Sequence, residues 1–170
     1  MSFAFSVTQY LGYRWRAKGL HGTHSPFVYD FIEQVVQYRG NIKILPEPLF
    51  AGAGTRSAAI ISRALQYYSL KKGANLAHQS TMPAAPLDWI TLCPEHPEKW
   101  CAHLEQWLPE CTNESIVFVP DLHVDAAHFL YWNQLKQQHS VRMSLDLFAF
   151  GILLFRKEFK ETQHFVLRRR

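Results

Sequence analysis

The feature that most constrains this chain is the order of its apolar segments from residue 87 onward. Short apolar runs alternate there with longer stretches of helical period. Residues 87–93 form a compact apolar run, read as a strand. Residues 97–108 carry helical spacing, with Pro97 near the start. Residues 115–119 form a second apolar strand that ends at Pro120-Asp121. Residues 124–138 place Phe129, Leu130, Trp132 and Leu135 at helical intervals. Residues 141–148 alternate in places and read as a strand, and Gly151 turns the chain into another at 152–157. Residues 164–167 add an edge segment. Strands alternating with helices of this length predict parallel βαβ units with right-handed crossovers. Two closing strands joined tightly predict an antiparallel pair.

The first half is less regular. Residues 3–18 read as a helix, with Val7, Tyr10, Leu11 and Trp15 at helical spacing, and Gly19 stops it. Ser25 before Pro26 is a helix start, with Ser as N-cap and Pro at the first helical position. That helix runs through Phe27, Phe31, Ile32, Val35 and Val36 to a polar break at Arg39-Gly40-Asn41. A short strand around Leu49 enters the small-residue turn Ala51-Gly52-Ala53-Gly54. Residues 55–68 follow as a helix, and residues 75–79 as a short strand.

Composition excludes several classes. Apolar residues make up 48% of the 170 positions and charged residues 19%, which excludes a disordered chain. The formal charge of +4 is too small by itself to argue for nucleic acid. The most apolar run, 147–155, is half the length of about 18 residues that a spanning helix needs. The start of the chain has no basic region, long apolar stretch or small-residue cleavage site. A cytoplasmic protein without membrane association is expected. Cys93, Cys101 and Cys111 are odd in number and unpaired in spacing, so reduced, buried thiols are expected.

Two blocks carry a resemblance. The first is His21-Gly22-Thr23-His24-Ser25-Pro26-Phe27-Val28, with Tyr10 to Lys18 before it and Tyr29-Asp30-Phe31 after it. The second is the C-terminal half, with Pro120-Asp121-Leu122-His123, Asp146-Leu147-Phe148 followed by Gly151, and Gln163-His164-Phe165. Both resemble a family of bacterial class I S-adenosylmethionine (SAM)-dependent methyltransferases. The resemblance implies a Rossmann-like sheet with its last strand inserted antiparallel, and a cofactor over the carboxyl ends of the first strands. The expected fold is therefore α/β: a trimmed, mostly parallel Rossmann-like sheet with an antiparallel C-terminal hairpin and helices on both faces. Residues 1–40 would form a helical N-terminal appendage and residues 41–170 the methyltransferase-type domain.

Each candidate site also has a plain structural role. Gly52, Gly54 and Thr55 have the shape of the loop that cradles the methionine end of SAM. They equally suit a simple strand-to-helix turn, and Phe50 stands where the family has an acid. The strand at 75–79 ends in His78-Gln79, with no acid for the ribose hydroxyls. From Gly54 to Leu87 there are 33 positions, room for one helix and one short strand, so the unit that helps enclose adenine is missing. In metal-dependent relatives, carboxylates at the ends of strands four and five hold a cation. Here those ends read Cys93-Pro94-Glu95-His96 and Pro120-Asp121-Leu122-His123. Asp121, His123 and His96 are the catalytic candidates that survive, and no metal site is expected. His21 with His24, and Cys93 with His96, are spaced too loosely to define zinc ligands.

Two functions follow from these readings. One is a non-catalytic, methyltransferase-like binding or scaffold protein that acts with a homodimer partner or another protein. The other is an active methyltransferase with an atypical SAM pocket and a small-molecule substrate. A nucleic-acid accessory is disfavoured. The basic tail, Arg168 to Arg170, reads as solvated.

Overall fold

The computed structural model describes residues 3–19, 25–40, 55–77 and 84–168. Five helices and six strands lie among them. In chain order these are α1 (Phe3–Arg16), α2 (Pro26–Phe31), α3 (Thr55–Tyr67), β1 (Gly73–Asn75), β2 (Leu87–Thr91), α4 (Trp100–Trp107), β3 (Cys111–Pro120), α5 (Ala126–Lys136), β4 (Met143–Asp146), β5 (Phe150–Leu154) and β6 (Gln163–Val166). A π-helical turn, Ile32–Val36, extends α2, and 3-10 turns flank α4.

The strands form one mixed sheet in the order β1-β2-β3-β5-β4-β6. β1, β2 and β3 run parallel, and so do β4 and β6. β5 is antiparallel to both of its neighbours, so it is the one reversed strand of the sheet. The closing hairpin expected from Gly151 is therefore present, but its second strand is inserted beside β3 and pairs Val117 with Leu153. Gly151 is the second residue of β5 rather than the turn. A side chain there would overlap Trp132 of α5.

Burial explains the apolar runs. β5 is buried along its whole length, and β3 from Ser115 onward. Such strands are covered on both faces, so they read as continuous apolar runs rather than alternations. Ile116, Phe118, Ile152 and Leu154 face a cluster completed by Phe31, Ile32 and Val35 and by Ile61 and Leu65 of α3. Val117, Val119 and Leu153 face the opposite cluster, with Trp100 and Leu104 of α4 and Trp132 and Leu135 of α5. Helices thus cover both faces. β2 contributes to both clusters as well, Trp89 to the first and Ile90 to the second by alternation, while Leu87, two residues before Trp89, joins the second across an irregularity in the register.

Several boundaries differ from the sequence reading. The strand expected at 75–79 is β1, two residues earlier. The Asp88 carboxylate accepts the amides of Lys71 and Lys72, both at 2.8 Å, which sets the pairing from Gly73. Gly73 lies under the Trp89 indole, where a Cβ would overlap the ring. Asn75 then closes the strand, its Oδ1 accepting the Ala77 amide at 3.0 Å. β3 starts at Cys111, four residues before the strand expected at 115–119, because the Ser115 hydroxyl accepts the Thr112 amide and holds that stretch extended. Ser25 does cap α2, accepting from the Val28 amide at 3.5 Å, with Pro26 at the first helical position.

The largest difference is in α1. Val7, Tyr10, Leu11 and Trp15, which define the helix in the sequence, are all exposed, and Tyr10 packs its ring edge-on against Phe148, at 5.2 Å. Among its described side chains Tyr13 is buried, as is Ala17 just past its end. The Tyr13 hydroxyl donates to the Leu167 carbonyl, and Lys18 forms a parallel bridge to Leu167.

Candidate functional site

In a parallel sheet the loops at the carboxyl ends of the strands are where ligands are bound. Here that edge carries Asn75, Thr91, Pro120 and Asp146 as the last residues of β1 to β4. Asp121 and His123 lie in the loop after β3, and His96 in the loop after the neighbouring β2.

Asp121 is held in the left-handed region, with φ 56°, and its amide donates to the Ala149 carbonyl at 2.8 Å. Burial pushes its carboxyl pKa upward, and the charge of His128 acts in the opposite sense. His123 is one turn further in. Its side chain is fully enclosed, and Nε2 lies 2.8 Å from Oδ2 of Asp146. The other carboxylate oxygen of Asp146 accepts the Phe148 amide at 2.8 Å. This second bond turns Phe148, itself at φ 70°, so that its ring stacks on His123 at 4.8 Å and 7°. Phe129 flanks the imidazole at 5.1 Å, and Tyr13 of α1 at 6.2 Å. The carboxylate fixes the proton on Nε2 in the neutral ring, which leaves Nδ1 as the acceptor. That atom is buried and has no hydrogen-bond partner among the described residues, as is also true of the Thr91 hydroxyl.

A second constellation ties the two loops together. Asp125 caps α5 by accepting the His128 amide at 2.9 Å. Its Oδ1 also lies 2.8 Å from the His128 Nδ1, and the His128 Nε2 lies 2.9 Å from the Pro94 carbonyl. A ring donating through both nitrogens satisfies both acceptors. The Trp100 indole donates to the Cys93 carbonyl at 2.7 Å, so the loop after β2 is pinned at two successive residues. Beyond the pins, His96 is exposed and pairs with Glu98 at 3.1 Å.

The edge therefore brings Asp121 and His123 into one loop, while His96 turns to the surface. Gly52 and Gly54 lie outside the described residues, as do His21, His24, Phe50 and His78. Thr55 is the first residue of α3. Among the described residues no group of three or more His, Cys, Asp or Glu side chains gathers to hold a metal ion. The three cysteines are free. Cys93 is buried, and Cys101 and Cys111 are half-buried, less enclosed than expected. Burial pushes the Cys111 thiol up to about 11. A cavity of about 670 Å³ opens elsewhere, between Lys18, Phe27, Phe159 and Phe165. Its β5–β6 side lies at the amino edge of the sheet.

Sequence reasoning missed Asp146, His128, Tyr13 and Thr91 as parts of this edge. Asp146 had a signal, the Asp-Leu-Phe block. The other three had none, because only the strand order brings them there. No protein-family model matches this chain, and neither a curated protein nor a solved structure matches it.

Proposed function

We propose that this chain is a degenerate relative of the SAM-dependent methyltransferases, one that kept the sheet and works through binding rather than catalysis. The observation that carries the reading is the sheet order. The reversed β5 lies between β3 and β4, in keeping with the inserted antiparallel strand that the resemblance implies, although β6 and not β5 is the last strand of the chain. At the other side β1, three residues long, is the outermost of the described strands. No described strand lies beyond it, so among the described residues nothing forms the wall that would enclose adenosine.

The carboxyl edge supports the same reading. The turn after β1 is closed by the Asn75 side chain, and the sequence from Asn75 to Gln79 offers no acid for the ribose hydroxyls. His123 is committed to Asp146 and sealed under Phe148. A base must touch the proton it removes, and this ring has no open side.

A second reading, a working methyltransferase with an atypical SAM pocket, draws on Asp121. Its half-buried carboxyl, pushed upward by burial, is what perturbed functional acids share. Methyl transfer from a sulfonium rests largely on positioning, so an incomplete set of acids and bases would not abolish it.

Calorimetric titration with SAM and with S-adenosylhomocysteine separates the two. The non-catalytic reading expects no binding heat at millimolar ligand. Saturable binding at micromolar concentration would overturn it in favour of the enzyme.

A further inference from the structure

The apolar stripe of α1 faces outward, although α1 is anchored to the sheet. Tyr13 and Ala17 are buried on one side of the helix. On the other, Val7, Leu11 and Trp15 follow one another at intervals of four and form a continuous line. Leu11 is 63% exposed and Trp15 94%. Trp132 and Trp100, by comparison, are completely buried.

Cations collect at one end of this line. Arg14 and Arg16 lie in the last turn of α1 and Lys18 just beyond, all exposed. The Arg14 guanidinium rests against the Tyr10 ring, 5.9 Å from its centroid. The other end of the chain joins them. The Arg168 amide donates to the Lys18 carbonyl at 2.9 Å, and the Lys18 amide donates to the Val166 carbonyl at 2.8 Å. The start of the basic tail is thereby fixed beside α1. Lys136 of α5 belongs to the same region. Burial lowers its pKa, Asp146 raises it, and the charge of Arg16 lowers it further. No Asp or Glu occurs before Asp30 in the sequence, so α1 brings no acid to neutralise this group.

We propose that the outer face of α1 docks onto an anionic lipid surface, with Val7, Leu11 and Trp15 entering the headgroup region and Arg14, Arg16, Lys18 and Arg168 meeting lipid phosphates. The combination selects this occupant. An interfacial helix pairs aliphatic and indole side chains on one side with Lys and Arg beside them. Nucleic acid would use the cations and could stack on Trp15, but it has no use for Leu11 and Val7. A second copy meeting this face through its own α1 would set cation against cation, because α1 has no acid. The contact is peripheral. The expectation of no membrane association rested on the lack of a spanning helix. None of the described helices is long and apolar enough to cross a membrane, but a surface contact requires no such helix.

The test is co-sedimentation of the full chain with vesicles of equal parts phosphatidylglycerol and phosphatidylcholine, alongside vesicles of phosphatidylcholine alone. The expected result is binding to the anionic vesicles that falls as salt rises, with a blue shift of Trp15 emission. L11S with W15S should lower the partition about tenfold or more. Arg14→Ser and Arg16→Ser should each lower it about fivefold, the equivalent of roughly 1 kcal/mol per cation. These side chains are exposed, so unchanged circular dichroism is expected for every variant. The proposal is overturned if the chain stays in the supernatant, or if neutral vesicles bind it equally well. It is also overturned if L11S with W15S binds like the parent, if the stripe instead holds a dimer that this variant splits, or if a single-stranded oligonucleotide binds more tightly than the anionic vesicles at equal salt.

Discussion

Asp121 is under two kinds of unfavourable constraint. Its backbone lies at φ 56°, which costs a residue with a Cβ about 1–2 kcal/mol. Its carboxyl is half-buried, so the charged form is disfavoured and the folded-state pKa is raised. A carboxyl with a raised folded-state pKa gives stability that is present below its ordinary value of 3.8 and is lost as pH rises through the raised one. Asp121→Asn removes this dependence, and Asn tolerates the left-handed backbone. The stability of the parent minus that of Asp121→Asn should therefore decline with rising pH across that window and level off above it. Urea unfolding at a series of pH values measures the difference. A difference that is flat or rises would show that the carboxyl is not disfavoured in the fold. The sequence makes Asp121 visible as an acid at a strand end. It does not reveal the strain, because the strain comes from the bond to Ala149, across the β4–β5 hairpin. His123 is similar. Its residue type marks it as a candidate, but its enclosure depends on Asp146 and Phe148, more than twenty positions later.

At the scale of elements, α5 shows how a cap and a loop share one side chain. Asp125 caps the helix and also holds the His128 ring, whose far nitrogen reaches the Pro94 carbonyl. Asp125→Ala should cost about 1–2 kcal/mol. Asp125→Ser keeps the cap but shortens the reach to the ring, so it should restore only part of the loss. A denaturant midpoint for each variant checks this; full rescue by Ser would mean that the ring contact contributes nothing. Helices and strands were legible where their burial is simple. β3 and β5 are continuous apolar runs because helices cover both faces, and α2 begins at a Ser-Pro pair that caps it. Legibility failed where the apolar period marks something other than the core. In α1 the repeat of Val7, Leu11 and Trp15 gives the correct helix, but its apolar stripe faces solvent, because Tyr13 and Ala17 make the contact with the sheet. In β1 the strand is short and begins under Trp89, and a glycine at position 73 reads in sequence as a stop rather than as the space for an indole.

For the whole molecule, the alternation of strands and helices makes the α/β class readable. The order of the sheet is not, since nothing local states that β5 passes between β3 and β4. Strand order decides what the carboxyl edge can hold. It puts β1 at one margin, and it brings the Asp121 loop, Asp146 and Phe148 together near the other. The central proposal is that a chain whose described sheet ends at so short a strand does not hold the methyltransferase cofactor. A thermal melt of the full chain with and without millimolar S-adenosylhomocysteine tests it most directly. A ligand present at a hundred times its dissociation constant stabilises a fold by about 2.7 kcal/mol. For a chain of this size that is a rise in Tm of about 5–10 °C. The account predicts an unchanged midpoint, and a rise of that magnitude would contradict it.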